Sequence, residues 1–279
     1  MASASASASF TTHTLNKLCA ALFLGALSGS AWAQTGPTID FVPNYVGFGL
    51  GTTTRYTGAS ERVGGIAPGA RYQLGDSGRY IQLNGPELSL NVLTADSWQF
   101  GPTVNLRFGR SNVEDPVVSR LPEIDTTVEA GAFLSWTNIS SGPVPIRTRL
   151  GVAVFRDVGN VSKGTTATIG GNLWIPISHK TIIGLGGGWS WGDSAFMRTY
   201  YGVDTAGAAA SGLPFYQPSG GLRQWFAWPA IIHQLDPHWL IGAGLFYQSI
   251  EGSAADSPIV TERGKKGQMS YGVGVGYTW

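Results

Sequence analysis

The sequence predicts an all-β protein: a transmembrane antiparallel up-and-down β-barrel of about twelve strands (ten to fourteen), preceded by a cleaved signal peptide. Three observations carry this. The last nine residues alternate strictly, with Tyr271, Val273, Val275, Tyr277 and Trp279 against Gly272, Gly274, Gly276 and Thr278, and the chain stops on an aromatic. A period of two is a strand with one apolar face, and a glycine-rich last strand is a weak edge unless a closed barrel pairs it with the first. At the other end, Lys17 precedes an apolar run over residues 18–27 and then Ala31, Trp32 and Ala33, the order of charge, apolar core and small-x-small site of a secretory leader. Between the two ends no apolar stretch reaches the roughly 20 residues that a spanning helix needs.

The predicted organisation is therefore a signal peptide over 1–33, cleaved between Ala33 and Gln34, and one barrel domain over 34–279. Cys19 lies in the leader, so the mature chain holds no cysteine. Composition agrees: 40 glycines, 10 tryptophans and 10 tyrosines stand against 3 methionines, with 13% charged residues, favouring strands and interfacial aromatics over helices. Without Lys17 the mature chain carries 17 basic and 17 acidic residues, a balance that offers nucleic acid no electrostatic footprint.

Along the chain the alternation predicts strands over 43–53, 63–74, 98–108, 124–136, 146–155, 165–175, 181–191, 222–232, 239–248 and 268–279. Residues 79–93 alternate too, but Asn84-Gly85 is a hairpin signal. Splitting there restores an even count, which barrels with both termini in the periplasm require, at the cost of strands far below the roughly 9–11 residues that span a bilayer. Long segments at 109–123, 193–220 and 249–267 then fall outside the cell, and short turns at 94–97, 137–145, 176–180 and 233–238 inside. Residues 193–220 show no sustained alternation.

The same parity turns Arg71, Glu87, Asn91, Asn105, Arg107, Glu129, Arg147, Arg149 and Arg223 toward the lumen. Buried charges persist when paired or hydrated, so these side chains form either a structural network or an arginine-lined pore favouring anions. Tyr271, Val273, Val275, Tyr277 and Trp279 face lipid and form the expected barrel-assembly signal. No catalytic, cofactor-binding or metal-binding residues are expected. His179, His233 and His238 fall at or near turns, without a Ser-His-acid or HExxH pattern. The glycines 184, 186, 187 and 188 lack the Lys-Ser/Thr of a phosphate loop, and in a strand they allow close approach or curvature.

Several words of the sequence are similar to a known family. Residues 101–110 (GPTVNLRFGR), 123–133 (EIDTTVEAGAF), Tyr200-Tyr201-Gly202-Val203, Ser211-Gly212-Leu213-Pro214, residues 254–260 (AADSPIV) and the terminal strand resemble the MipA/OmpV family of outer-membrane proteins, in order over the whole mature chain. The family's Tyr-Phe-Gly-Val stands here as Tyr-Tyr-Gly-Val. The resemblance implies a non-enzymatic outer-membrane barrel, exported across the inner membrane of a Gram-negative cell, with no cofactor. It implies as partners outer-membrane lipid and lipopolysaccharide, the barrel assembly machinery, and a murein transglycosylase and a penicillin-binding protein, which the founding member links as a scaffold. A porin for small anions and an adhesin remain the alternatives.

Overall fold

The computed structural model describes residues 42–279; the expected leader and its Ala33/Gln34 site lie outside them. Twelve antiparallel strands close into one barrel in sequence order, and the last strand seals against the first. They are β1 (Tyr45–Thr54), β2 (Arg62–Gln73), β3 (Tyr80–Asn84), β4 (Glu87–Asn91), β5 (Trp98–Arg107), β6 (Thr127–Ile139), β7 (Arg147–Asp157), β8 (Thr165–Ser178), β9 (Thr181–Gly192), β10 (Gly221–Gln234), β11 (Trp239–Ile250) and β12 (Gly267–Thr278).

Closure rests on the glycine-rich faces. Gly47, Gly49 and Gly51 of β1 stand opposite Gly276, Gly274 and Gly272 of β12. A Cβ on Gly47 would come within 2.5 Å of the Val275 carbonyl oxygen, so the two strands approach more closely than side chains would permit. On the other faces of these strands Val46, Phe48, Leu50 and Val273 are exposed and, with the half-buried Val275, form an apolar band bounded by Tyr271 and Tyr277. An exposed apolar band between aromatic girdles is the lipid face of a membrane barrel.

Ten strands are 10–14 residues long, but β3 and β4 have five each. Their hairpin turns through Gly85, at φ +55°, and Pro86, one residue later than the Asn-Gly signal suggested, because Pro86 takes the second turn position and the positive φ falls on the glycine before it. This hairpin stops partway up the wall. Its last bonds run from the Gly85 N–H to the Pro68 oxygen (2.8 Å) and from the Leu106 N–H to the Pro86 oxygen (3.1 Å). Above it, residues 62–67 of β2 pair on one side only, with β1, which leaves a notch in the wall between β2 and the top of β5.

The long connections at the outer end of the strands differ from irregular loops. The segment after β9 folds into α1 (Ser194–Tyr201) and α2 (Thr205–Ser211), and that after β11 into α3 (Gly252–Ala255) and α4 (Pro258–Thr261). Asp193 caps α1 by accepting from the Phe196 N–H, and Asp204 caps α2 by accepting from the Gly207 N–H. Two edges also shift: β6 begins at Thr127, with Ile124 in a single bridge to Arg110, and runs on to Ile139, so the following turn is shorter than 137–145.

Candidate functional site: a capped and partly filled lumen

The outer mouth is closed by packing. Tyr56 and Ala59 of the first loop, Val118 and Leu121 of the third, Val203 and Leu213 around α2 and Ile259 of α4 form one buried cluster. Phe196, Met197 and Tyr201 of α1 form a second with Ile250, Ala254, Ala255 and Val260. These are two apolar cores at the outer end of the strands, assembled from the last residue of β11 and from four loops that no local sequence pattern links. Burial pushes the Tyr56 phenol up to about 12 against the opposing pull of Arg110, so it stays neutral in this cap. The Ser257 hydroxyl donates to the Tyr201 carbonyl (2.6 Å), tying α4 to α1.

Below the cap the lumen has two unlike sides. On one, Glu129, 1% exposed, accepts from Arg107 Nε (2.5 Å) and Asn105 Nδ2 (2.9 Å). The Arg107 guanidinium lies 4.9 Å from the Phe196 ring, so this pair also supports α1 from beneath. Arg149 donates to Ser135 Oγ (2.8 Å), and Arg71 donates to Gln82 (3.1 Å) while stacking 3.6 Å over Tyr80. Arg71, Arg147 and Arg149 feel one another's charge in the periplasmic half. Glu87 accepts from Thr103 Oγ1 (3.3 Å) and borders two cavities of about 160 and 240 Å3.

The other side departs from a polar interior. Inward residues of β8–β11, among them Trp174, Ile182, Trp228, Ile232 and Leu240, form a buried apolar cluster that fills that side of the bore. The glycines of β9 make room for it: a Cβ on Gly184 would fall 2.6 Å from the Trp174 ring, and one on Gly186 2.4 Å from the Trp228 ring. Their role is close approach by flat indole rings, with no contact that resembles a phosphate loop.

Seven of the nine residues assigned to the lumen take part in these contacts or line these cavities, with Arg223 in the larger one, and Arg147 lies within reach of the charges of Arg149 and Arg71. Asn91 does something else. It is buried at the periplasmic end, where its amide bonds the Gly78 and Leu93 carbonyls and the Leu93 and Phe100 N–H groups, stitching a turn to β5. Tyr271, Val273 and Trp279 are exposed on the outer wall, and the Trp279 N–H donates to the Asn44 oxygen (3.2 Å) across the closing seam. The histidines serve turns: His233 Nδ1 lies 2.9 Å from Thr181 Oγ1 and His238 Nδ1 2.9 Å from the Thr278 oxygen. No group of three His, Cys, Asp or Glu suited to a metal occurs among the described residues.

A closed, even-stranded antiparallel barrel with a lipid-facing apolar band and a charged interior is an outer-membrane β-barrel protein. Residues 46–279 match the family described as MltA-interacting protein MipA, and the chain belongs to that family. Solved structures similar to it include the NanC porin (12% identity, 84% of this chain and 100% of that one, TM-score 0.44). An outer-membrane protein of Vibrio cholerae, OmpT, is also similar (8%, 85% and 96%, TM-score 0.35). So is an anion-selective porin from Comamonas acidovorans (8%, 85% and 98%, TM-score 0.33). No curated protein matches.

Proposed function

We propose that this barrel is a non-enzymatic scaffold that presents its periplasmic rim to murein-processing enzymes while its outer wall sits in outer-membrane lipid and lipopolysaccharide. The observation that carries the reading is the closed bore: four loops interlock over the outer mouth and indole rings fill one side beneath them. A filled barrel offers partners its surfaces in place of a passage. The rim available in the periplasm comprises residues 140–146, His179 and Lys180 between β8 and β9, and residues 235–238. Val144, Ile177 and Leu235 stand exposed on or beside these turns. Exposed apolar side chains on a rim of charge suit a protein contact. The family description, an MltA-interacting protein, supports the murein transglycosylase that the sequence resemblance implies as the occupant, and the penicillin-binding protein as a second occupant rests on that resemblance alone.

Immobilised barrel should retain a murein transglycosylase from detergent extracts, and Leu235→Asp combined with Val144→Asp should release it. Failure to retain any murein hydrolase or synthase removes the support for this reading. The lumen arginines favour one rival, a channel for small anions. Planar-bilayer recording separates the two: a scaffold is silent, whereas stable conductance steps lost on Arg107→Ala or Arg147→Ala identify a pore.

A further inference from the structure

Near the outer end of β10 the ladder to β9 slips: Leu222 pairs with Trp191 and Gln224 with Ser190, leaving Arg223 as the extra residue of a β-bulge. A bulge re-aims a side chain. Here it turns two consecutive residues inward, since Arg223 is 9% and Gln224 6% exposed while Trp225, next in the chain, faces out. The Glu251 N–H holds the bulge by donating to the Arg223 carbonyl (2.8 Å).

The arginine so placed is fixed and only partly satisfied. Its Nη2 donates to Ser190 Oγ (3.2 Å), its guanidinium lies 5.3 Å from the Phe196 ring, and the Tyr201 phenol stands against it. Its Nε is buried without a hydrogen-bond partner, and so is the Oε1 of Gln224. Among the described residues no carboxylate lies within ion-pair distance of Arg223, in contrast to Arg107 with Glu129. Buried polar groups left unpaired carry their full desolvation cost, so an open donor and an open acceptor on consecutive inward residues mark a place for a ligand. Both border the cavity of about 240 Å3, whose walls carry Phe155, Phe226 and Phe246 among polar side chains that include Glu87 and Arg107. The cavity reaches the barrel wall at Pro86 and Leu106, where the β3–β4 hairpin stops short and the notch begins.

We propose that this cavity binds a small organic anion with an apolar, ring-sized body and a hydroxyl group, its carboxylate accepting from Arg223 and its hydroxyl donating to Gln224. Size sets the class: a cavity of about 150 Å3 lined by apolar side chains holds benzene, and this one has room for a monoaromatic hydroxy acid. Arg223 supplies a charge-assisted bond with its orientation already set, and the phenylalanines receive the ring. Gln224 then discriminates, because a site built to bond a hydroxyl rejects the analogue that lacks it.

The test uses the folded, membrane-reconstituted barrel with 3-hydroxybenzoate, benzoate and benzyl alcohol as probes, read by ligand-observed NMR and by the shift in unfolding temperature. Saturable binding is expected in the order 3-hydroxybenzoate, benzoate, benzyl alcohol. Arg223→Met should weaken both acids at least tenfold, and Gln224→Leu should remove the preference for the hydroxylated acid while sparing benzoate. Phe226→Trp, which fills the cavity and leaves Arg223 in place, should abolish binding, so the proposal stays testable if Arg223→Met does not fold. No saturable binding of any probe to the folded barrel, or binding indifferent to both Gln224→Leu and Phe226→Trp, overturns it.

Discussion

Arg263 and Asp115, 148 residues apart, form a two-pronged ion pair across the outer mouth: Nε and Nη2 of the arginine donate to Oδ2 at 3.1 and 2.8 Å, and Nε also reaches Oδ1 at 3.2 Å. The Val117 and Val118 N–H groups donate to Oδ1 of the same carboxylate. The pair therefore joins the loop after β5 to the segment after α4, two of the four pieces that cap the barrel.

This clasp should loosen in acid. Partial burial alone would raise the Asp115 pKa, but the Arg263 hydrogen bonds and those of the two amides outweigh it and hold the carboxyl below the usual aspartate range. A depressed folded-state pKa stabilises the cap fully above the unfolded value of about 4, and the contribution disappears as pH falls through the depressed value. Limited proteolysis within residues 109–123 should speed up severalfold over that window. Asp115→Asn should already be fast at neutral pH and insensitive to further acid; equal cleavage of the two proteins at pH 7 would remove the clasp from the account.

Glu129 should be far more costly to lose. Breaking a buried pair by removing one partner costs about 3–5 kcal/mol, whereas replacing both members with apolar residues is often neutral. Glu129→Ala should therefore lower the temperature at which the barrel loses its heat-modifiable mobility on gels, and Arg107→Met with Glu129→Leu should restore most of it. A double variant as labile as the single would show that the carboxylate acts through something besides Arg107.

Gly186→Ala places a methyl where the Trp228 ring lies, 2.4 Å away. Overpacking of this kind costs about 1–3 kcal/mol. Adding Trp228→Leu should relieve the clash, so the double variant should unfold at a higher temperature than Gly186→Ala alone. Independence of the two substitutions would argue that the ring moves aside freely.

Deleting Trp279 removes the last lipid-facing aromatic, whose ring stacks 6.5 Å from Tyr277, and the N–H bonded to Asn44 at the seam. The truncated chain should reach the outer membrane in greatly reduced amount, measured as heat-modifiable protein in membrane fractions. Normal assembly would mean that the terminal aromatic is dispensable.

The loops show why the cap stayed out of sight in the sequence. Residues 193–220 read as a segment without alternation, although Asp193, Asp204 and the pair Ser257-Pro258 are helix-start signals. The helices they begin are four to eight residues long, too short for a period of 3.6 to stand out. What gives them their place is burial against residues far away in the chain, as with Tyr56 against Ile259. Arg223 and Gln224 show the same limit from the other side: alternation places Arg223 toward the lumen, but the bulge that turns the neighbouring Gln224 inward as well is a property of the ladder with β9.

By itself the sequence determined the wall: alternation, the aromatic ending, glycine placement and the even parity specify twelve antiparallel strands, because a two-residue period is a local property and closure leaves one arrangement with no free edge. Only the tertiary structure decided what the wall encloses. The lid, the indole-filled side of the bore and the partly satisfied Arg223 beside Gln224 depend on contacts between distant loops and strands, where volume and hydrogen-bond geometry act between residues that share no local pattern.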